Sequence, residues 1–306
     1  MSNKQPLRLK TIHQYHKLMG LPKPDHPHVS VINIGDIKTF PFEESISLVY
    51  DFYCIALKTY KNISYKYGQQ KNDLEDGVLF FMAPNQVITI EIDKLSEVKA
   101  AGQLLFVHPD LLWNTSLAKS INKYDFFDYS ANEALFLSEK EELKILLILQ
   151  NIQQEYQGNI DNFSEDVIIA QLELLLTYAD RYYHRQFLTQ KLSNHKTLII
   201  LEEILDDYFK GNDLSSKGLP SVQFISDQLN ISQSYLSRLL KTLTGQSTQQ
   251  HIHEKLIARA KEKLSTTTLS VSEIAYELGF EHSQSFSKLF KTKTNFSPLE
   301  FRQSFN

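Results

Sequence analysis

The chain carries one cysteine, Cys54, in 306 residues. A lone thiol excludes an internal disulfide and any Cys-rich zinc site. Its apolar setting, Val49–Leu57, reads as that of a buried small hydrophobe. No apolar run approaches the roughly 20 residues of a membrane span. The first ten residues lack the apolar core of a signal peptide, so the cytoplasm is the expected compartment. Neither a Gly-x-Ser-x-Gly elbow nor a phosphate-cradling glycine loop occurs, and no enzyme is expected. Excess positive charge is missing too. The net charge is −4, which by itself argues against a nucleic-acid partner.

The distribution of charge reverses that argument. Residues 219–306 hold 10 Lys+Arg against 7 Asp+Glu, while residues 1–218 hold 22 against 29. No acid occurs from Gln228 to His253, nor from His282 to Leu299. Such sorting clears a face for phosphates.

Those stretches belong to two copies of one pattern. The first has Ile225-Ser226, Leu229-Asn230-Ile231 and Leu236-Ser237-Arg238-Leu239-Leu240-Lys241. The second has Ile274-Ala275, Leu278-Gly279-Phe280 and Phe286-Ser287-Lys288-Leu289-Phe290-Lys291. Matching positions lie 49 apart in the leading half and 50 apart in the trailing half, so one residue is inserted in the turn. Each copy reads as helix-turn-helix. Asn230 and Gly279 share the turn position, and these residue types best tolerate left-handed φ. Ser221, Ser232, Ser247 and Ser270 are placed as helix N-caps. A helix from about Thr248 to Leu264 joins the copies.

The outward faces of the trailing helices are short-polar and basic. Gln233, Ser234, Ser237 and Arg238, and in the second copy Ser283, Gln284, Ser287 and Lys288, are the candidate base readers. Arg matches guanine bidentately and Gln matches adenine. Ser232, Lys241, Ser247, Lys291, Lys293 and Arg302 are the candidate phosphate contacts. A solvated polar face explains one such helix as well as DNA reading does. Two copies with matched turns and acid-free faces favour DNA.

Upstream, residues 1–28 read as a loose, Pro-containing arm. Residues 29–137 read as short strands between turn residues, a small barrel or jelly roll. Tyr50, Phe52, Tyr53, Phe80, Phe106 and Trp113 are candidates to line an effector pocket, with ordinary core packing as the competing explanation. Alternation puts Tyr50, Phe52 and Cys54 on one face and Tyr53 on the other. Residues 138–190 read as two amphipathic helices, opened by a Ser138-x-x-Glu141 capping box, with inward stripes Leu143, Leu146, Leu147, Gln150, Ile152 and Val167, Ile168, Gln171, Leu172, Leu175, Tyr178. They either pack on the barrel or pair with a second subunit. A linker is expected at 191–197 and the helical unit at 198–306. No metal or cofactor is expected, because His26-Pro27-His28 lies in the arm and His108-Pro109-Asp110 reads as a capped turn.

Ala260, Leu264, Ile274-Ala275, Gly279-Phe280, Phe286, Phe290-Lys291, Ser297-Pro298 and Phe301-Arg302 together resemble the signature of the AraC/XylS family of bacterial transcription regulators. The resemblance covers about 198–306, with Asn295 where the family usually has Gly. It implies an α+β chain: an N-terminal cupin-like barrel with a helical dimerisation segment, and a C-terminal all-α domain with two helix-turn-helix motifs. It also implies double-stranded DNA as partner, homodimerisation, a possible small-molecule effector and, for an activator, RNA polymerase. Two other readings are a DNA-repair alkyltransferase with an AraC-like unit, which needs more cysteines than Cys54, and an effector-independent architectural binder, which needs no 200-residue N-terminal half.

Overall fold

The computed structural model describes residues 6–37, 45–59, 63–67, 70–74, 77–91, 101–130, 133–158, 161–210 and 214–304. Pro41 and Gly68, turn residues between the strands expected in 29–137, lie outside them, as do the side chains of Tyr65 and Tyr67. The chain divides into two compact units, Met1–Gln186 and Phe187–Asn306.

The first unit is β-rich. Its main sheet runs β10 (Leu135–Phe136), β7 (Val78–Met82), β4 (Tyr53–Thr59), β9 (Ala101–Val107), β2 (Val29–Asn33). A second sheet runs β1 (Leu7–Leu9), β3 (Ser45–Tyr50), β8 (Val87–Glu91), and β5 (Ile63–Tyr67) pairs with β6 (Gln70–Leu74). β4 is central: Cys54 lies opposite Phe106 on one side and Met82 on the other. Period-2 alternation then sorts the side chains. Tyr50, Phe52, Cys54 and Ala56 join Leu48, Ile32 and Phe106 in a buried cluster shared by both sheets. Tyr53 points the other way, its ring 5.1 Å from that of Phe127.

The N-terminal stretch expected to be loose is ordered. β1 pairs in parallel with β3, and α1 (Ile12–Leu18) follows. Thr11 opens α1 with a capping box: its hydroxyl accepts from the Gln14 amide, and the Gln14 side chain accepts from the Lys10 and Thr11 amides. Leu9, Ile12, Tyr15 and Met19 are buried in the sheet cluster. His16 pins the segment, with Nδ1 at 2.6 Å from the Pro22 carbonyl and Nε2 at 3.0 Å from Ser30 Oγ. The prolines masked an apolar pattern that begins before them. Residues 109–112 form a 3-10 turn, α2 (Ser116–Ser120) a short helix, and 125–128 a further 3-10 turn.

α3 (Glu139–Gln157) and α4 (Ser164–Thr189) close the first unit. In α3 the buried residues are Ile145, Ile148, Leu149, Ile152 and Tyr156. Leu143 and Leu147 of the expected stripe are exposed, at 53% and 57%. This helix carries two apolar stripes, and periodicity alone does not rank them. α4 buries Ile168, Leu172 and Leu175 as expected and exposes Val167. Just ahead of it Asp161 Oδ1 accepts from the Phe163 amide at 2.8 Å. Arg185 grips Glu141 at 2.7 Å and the Phe136 carbonyl at 2.7 Å, tying α4 to the start of α3.

The second unit is all-helical. α5 (Lys191–Lys210) takes in the whole stretch expected as linker, since 191–197 contains no helix breaker. Then come α6 (Leu214–Lys217), α7 (Val222–Leu229), α8 (Gln233–Thr244), α9 (Thr248–Thr266), α10 (Val271–Glu277), α11 (Ser283–Thr294) and α12 (Pro298–Gln303). One continuous buried cluster joins Leu201 and Leu205 of α5, Leu236 and Leu240 of α8, Leu256 and Ala260 of α9, and Phe286 and Phe290 of α11.

Candidate nucleic-acid interface

The two helix-turn-helix copies close their turns with the same backbone bonds. Asn230 sits at φ 54° and Gly279 at φ 84°. The Ile231 amide reaches back to the Ser226 carbonyl at 3.1 Å, and the Phe280 amide to the Ala275 carbonyl at 3.0 Å. Those bonds close the C-termini of α7 and α10, as left-handed caps do. The extra residue of the second copy falls after Phe280, at Glu281-His282. Ser232 caps α8 through the Tyr235 amide, whereas the His282 side chain makes no capping bond on α11.

Sequence did not disclose that the two turns differ in room. A Cβ on Gly279 would come 2.9 Å from the Leu214 carbonyl oxygen and 3.0 Å from the Gly218 carbonyl carbon. Gly279 is therefore needed twice over, for its φ and for a close backbone approach.

α8 buries Leu236, Leu239 and Leu240, and α11 buries Phe286 and Phe290. On the opposite faces Gln233, Lys241, Gln284, Lys288, Lys291 and Lys293 are exposed, with Ser234, Ser237, Arg238, Ser283 and Ser287 half-buried. Several are engaged. The Gln233 carboxamide donates to Gln223 Oε1. The Arg238 guanidinium lies 6.0 Å over the Phe187 ring, within cation–π range. Ser237 Oγ is 3.5 Å from Thr248 Oγ1, at the foot of α9. Lys241 Nζ donates to the Gly245 carbonyl at 2.9 Å, at the negative end of α8.

Two candidate phosphate contacts have structural duties. Ser247 caps α9, and its amide is taken by Gln250 Oε1 at 2.7 Å. Arg302 is half-buried and its Nε donates to the Leu264 carbonyl at 3.2 Å. Its place in the sequence, in the last turn of a basic unit, looked like that of a surface cation.

Charge sorting is completed by the ion pairs. Lys255 meets Glu202 at 2.9 Å and Asp206 at 2.8 Å, Arg259 meets Glu262 at 2.6 Å, and Lys263 meets Glu277 at 2.7 Å. No ion pair among the described residues involves Lys241, Lys288, Lys291 or Lys293. Lys255, Arg259 and Lys263 of these pairs all lie on α9. His253 is held below the usual imidazole range by burial and by Lys293.

The candidate effector residues do not line one cavity. Tyr50, Phe52 and Phe106 pack on one another at centroid distances of 5.0–5.7 Å. Phe80 borders that cluster, Tyr53 faces away, and Trp113 is 84% exposed. A cavity of about 300 Å³ lies elsewhere, beside His26, Tyr156, Asp161 and Glu165. Cys54 is buried, and burial pushes its thiol up to about 12. A thiol so protonated is no nucleophile near neutral pH.

Two helix-turn-helix motifs on one core, each with an acid-free outer face, define a DNA-binding domain. Residues 225–304 match the family described as a helix-turn-helix domain. Over its C-terminal part the chain is similar to HTH-type transcriptional activators. It is 30% identical over 159 residues to the HTH-type transcriptional activator RhaS of Escherichia coli O1:K1 / APEC, covering 51% of this chain and 52% of that one. It is 26% identical over 246 residues to RhaS of Shigella sonnei, covering 75% and 83%. The match thus spans about half the length of the first of these relatives. Among solved structures, the C-terminal domain of the response regulator yesN from Fusobacterium nucleatum is 28% identical, over 33% of this chain and 96% of that one. Its TM-score is 0.29, so the domain assignment rests on the family match and the geometry above. Among the described residues, no helix is long and apolar enough to cross a membrane.

Proposed function

We propose that this chain is a sequence-specific transcription regulator that reads DNA with α8 and α11. The observation that carries the reading is the duplicated helix-turn-helix, with matched left-handed turns and a run free of acids along each reading helix. α8 offers Gln233, Ser234, Ser237 and Arg238 to base edges. α11 offers Ser283, Gln284, Ser287 and Lys288, and adds Lys291 and Lys293 for phosphates. α9, with 19 residues, is about 28 Å long, comparable with the roughly 34 Å of one DNA turn. Similarity to RhaS, named an activator, favours activation and hence RNA polymerase as a partner.

The first unit supplies control in this reading, its two sheets forming a cupin-like barrel that takes a small-molecule effector. Homodimerisation is supported by Leu143 and Leu147, exposed one turn apart on α3. Selection of bound sequences from random duplexes, with purified full-length protein, tests the proposal. An enriched motif is expected. Binding without enrichment refutes sequence-specific reading.

A further inference from the structure

His28 and His108 stand opposite each other where the β2–β9 ladder ends. The ladder's last pair is Val29 with Val107, and beyond it the His108 amide donates to the His28 carbonyl at 2.8 Å. Directly opposed residues of an antiparallel pair send their side chains to the same face. The imidazole centroids are 5.6 Å apart and the rings 27° from parallel. Asp110 turns back after Pro109 and brings Oδ2 to 3.3 Å from His108 Nδ1. One donor atom from each of His28, His108 and Asp110 lies within 4.8 Å of the others. Behind them the His28 amide donates to His26 Nδ1 at 3.1 Å, which steadies the approach to β2.

We propose that His28, His108 and Asp110 form a binding site for a divalent transition ion, zinc in the first instance. Two imidazoles and a carboxylate are a donor set that zinc accepts, whereas calcium and magnesium favour oxygen alone. Donors on one tetrahedral zinc stand about 3.3 Å apart, given bond lengths of about 2.0–2.2 Å. The His108 Nδ1–Asp110 Oδ2 pair already has that separation, and on binding Nδ1 would give up the hydrogen bond it accepts from the Asp110 amide at 3.3 Å. His28 closes the remainder by side-chain rotation, because the backbones of β2 and β9 are held by their ladder. Asp110 is exposed, which leaves the fourth position open to water. The bound ion would fasten the start of β2 to the turn after β9.

The test uses full-length, tag-free protein stripped by a chelator and titrated with Zn²⁺ against a chromophoric competitor. One ion per chain is expected at this site, with Kd of roughly 10 μM or tighter. Asp110→Asn should weaken binding at least tenfold, and His28→Gln should abolish it. His13→Gln, at an exposed histidine of α1, should leave it unchanged. Asp110→Asn alters an exposed side chain, and an unchanged circular dichroism spectrum separates lost ligation from lost folding. Wild-type affinity weaker than roughly 100 μM overturns the proposal. So does equal affinity in wild type, Asp110→Asn and His28→Gln.

Discussion

Gly279→Ala is the sharpest perturbation that the second unit offers. At φ 84° an L side chain costs about 1–2 kcal/mol. The new Cβ also meets backbone at 2.9–3.1 Å, in Leu214 and Gly218. Backbone yields less readily than a side-chain tip, and overpacking of this kind adds roughly 1–3 kcal/mol. Alanine's smaller unfolded-state entropy returns about 0.4–1 kcal/mol. The net loss is roughly 2–4 kcal/mol. Gly245→Ala supplies the control: its φ is 75°, and a Cβ there has nothing within 4 Å. Only the dihedral cost remains, about 1 kcal/mol after the same correction. For a unit of this size the difference corresponds to roughly 5–15 °C in midpoint. Far-UV circular dichroism is the assay, since the one tryptophan, Trp113, lies in the first unit and reports on that unit. Equal destabilisation by the two substitutions refutes the close-approach argument. Gly279→Asn sharpens the comparison: asparagine accepts the φ, as Asn230 does, yet keeps the overlap.

Other expectations follow from the same geometry. Arg238→Ala should reduce the ratio of specific to random DNA affinity by roughly 5–150-fold, for a loss of about 1–3 kcal/mol, as read by gel-shift titration; a uniform loss on all DNA removes Arg238 from the base readers. Lys291→Ala should weaken binding to every sequence and lower the salt slope by about one, and an unaltered slope removes it from the phosphate contacts. Leu147→Asp should shift the proposed dimer toward monomer in sedimentation at micromolar concentration, while a wild type monomeric at that concentration defeats the dimer. Cys54 should resist a thiol reagent at pH 8 until the chain unfolds. Its folded value, about 12, lies above the ordinary 9.0. Its contribution to stability is therefore whole below pH 9 and declines as pH rises from 9 toward 12. Prompt labelling of the native chain would contradict its burial.

The second unit was largely legible in the sequence because its signals are local. Ser221, Ser232, Ser247 and Ser270 cap the helices expected of them, and Asn230 and Gly279 take the expected φ. Caps and turns depend on residues within a few positions, and those stand side by side in the chain. What escaped depends on distant partners. Arg302 serves the Leu264 carbonyl, and Gly279 meets Leu214 and Gly218, contacts without any local signature. In the first unit Leu143 and Leu147 carried the same periodic signal as the stripe that is buried. His28 reads as part of the arm and His108 as the cap of a turn, and only strand pairing sets them together.

The shared cluster beneath α8, α9 and α11 has a consequence for the DNA. Two heads on separate cores would tolerate variable spacing, as beads on a string do. Two heads rooted in one close-packed interior form a fixed gauge. An extra base pair between the half-sites would displace the second by about 3.4 Å and swing it by roughly 35° around the axis. Among the described residues both heads share one core, so in the proposed complex the duplex would untwist to restore register. Spacing would then be policed by the torsional stiffness of DNA, without any residue touching the intervening bases.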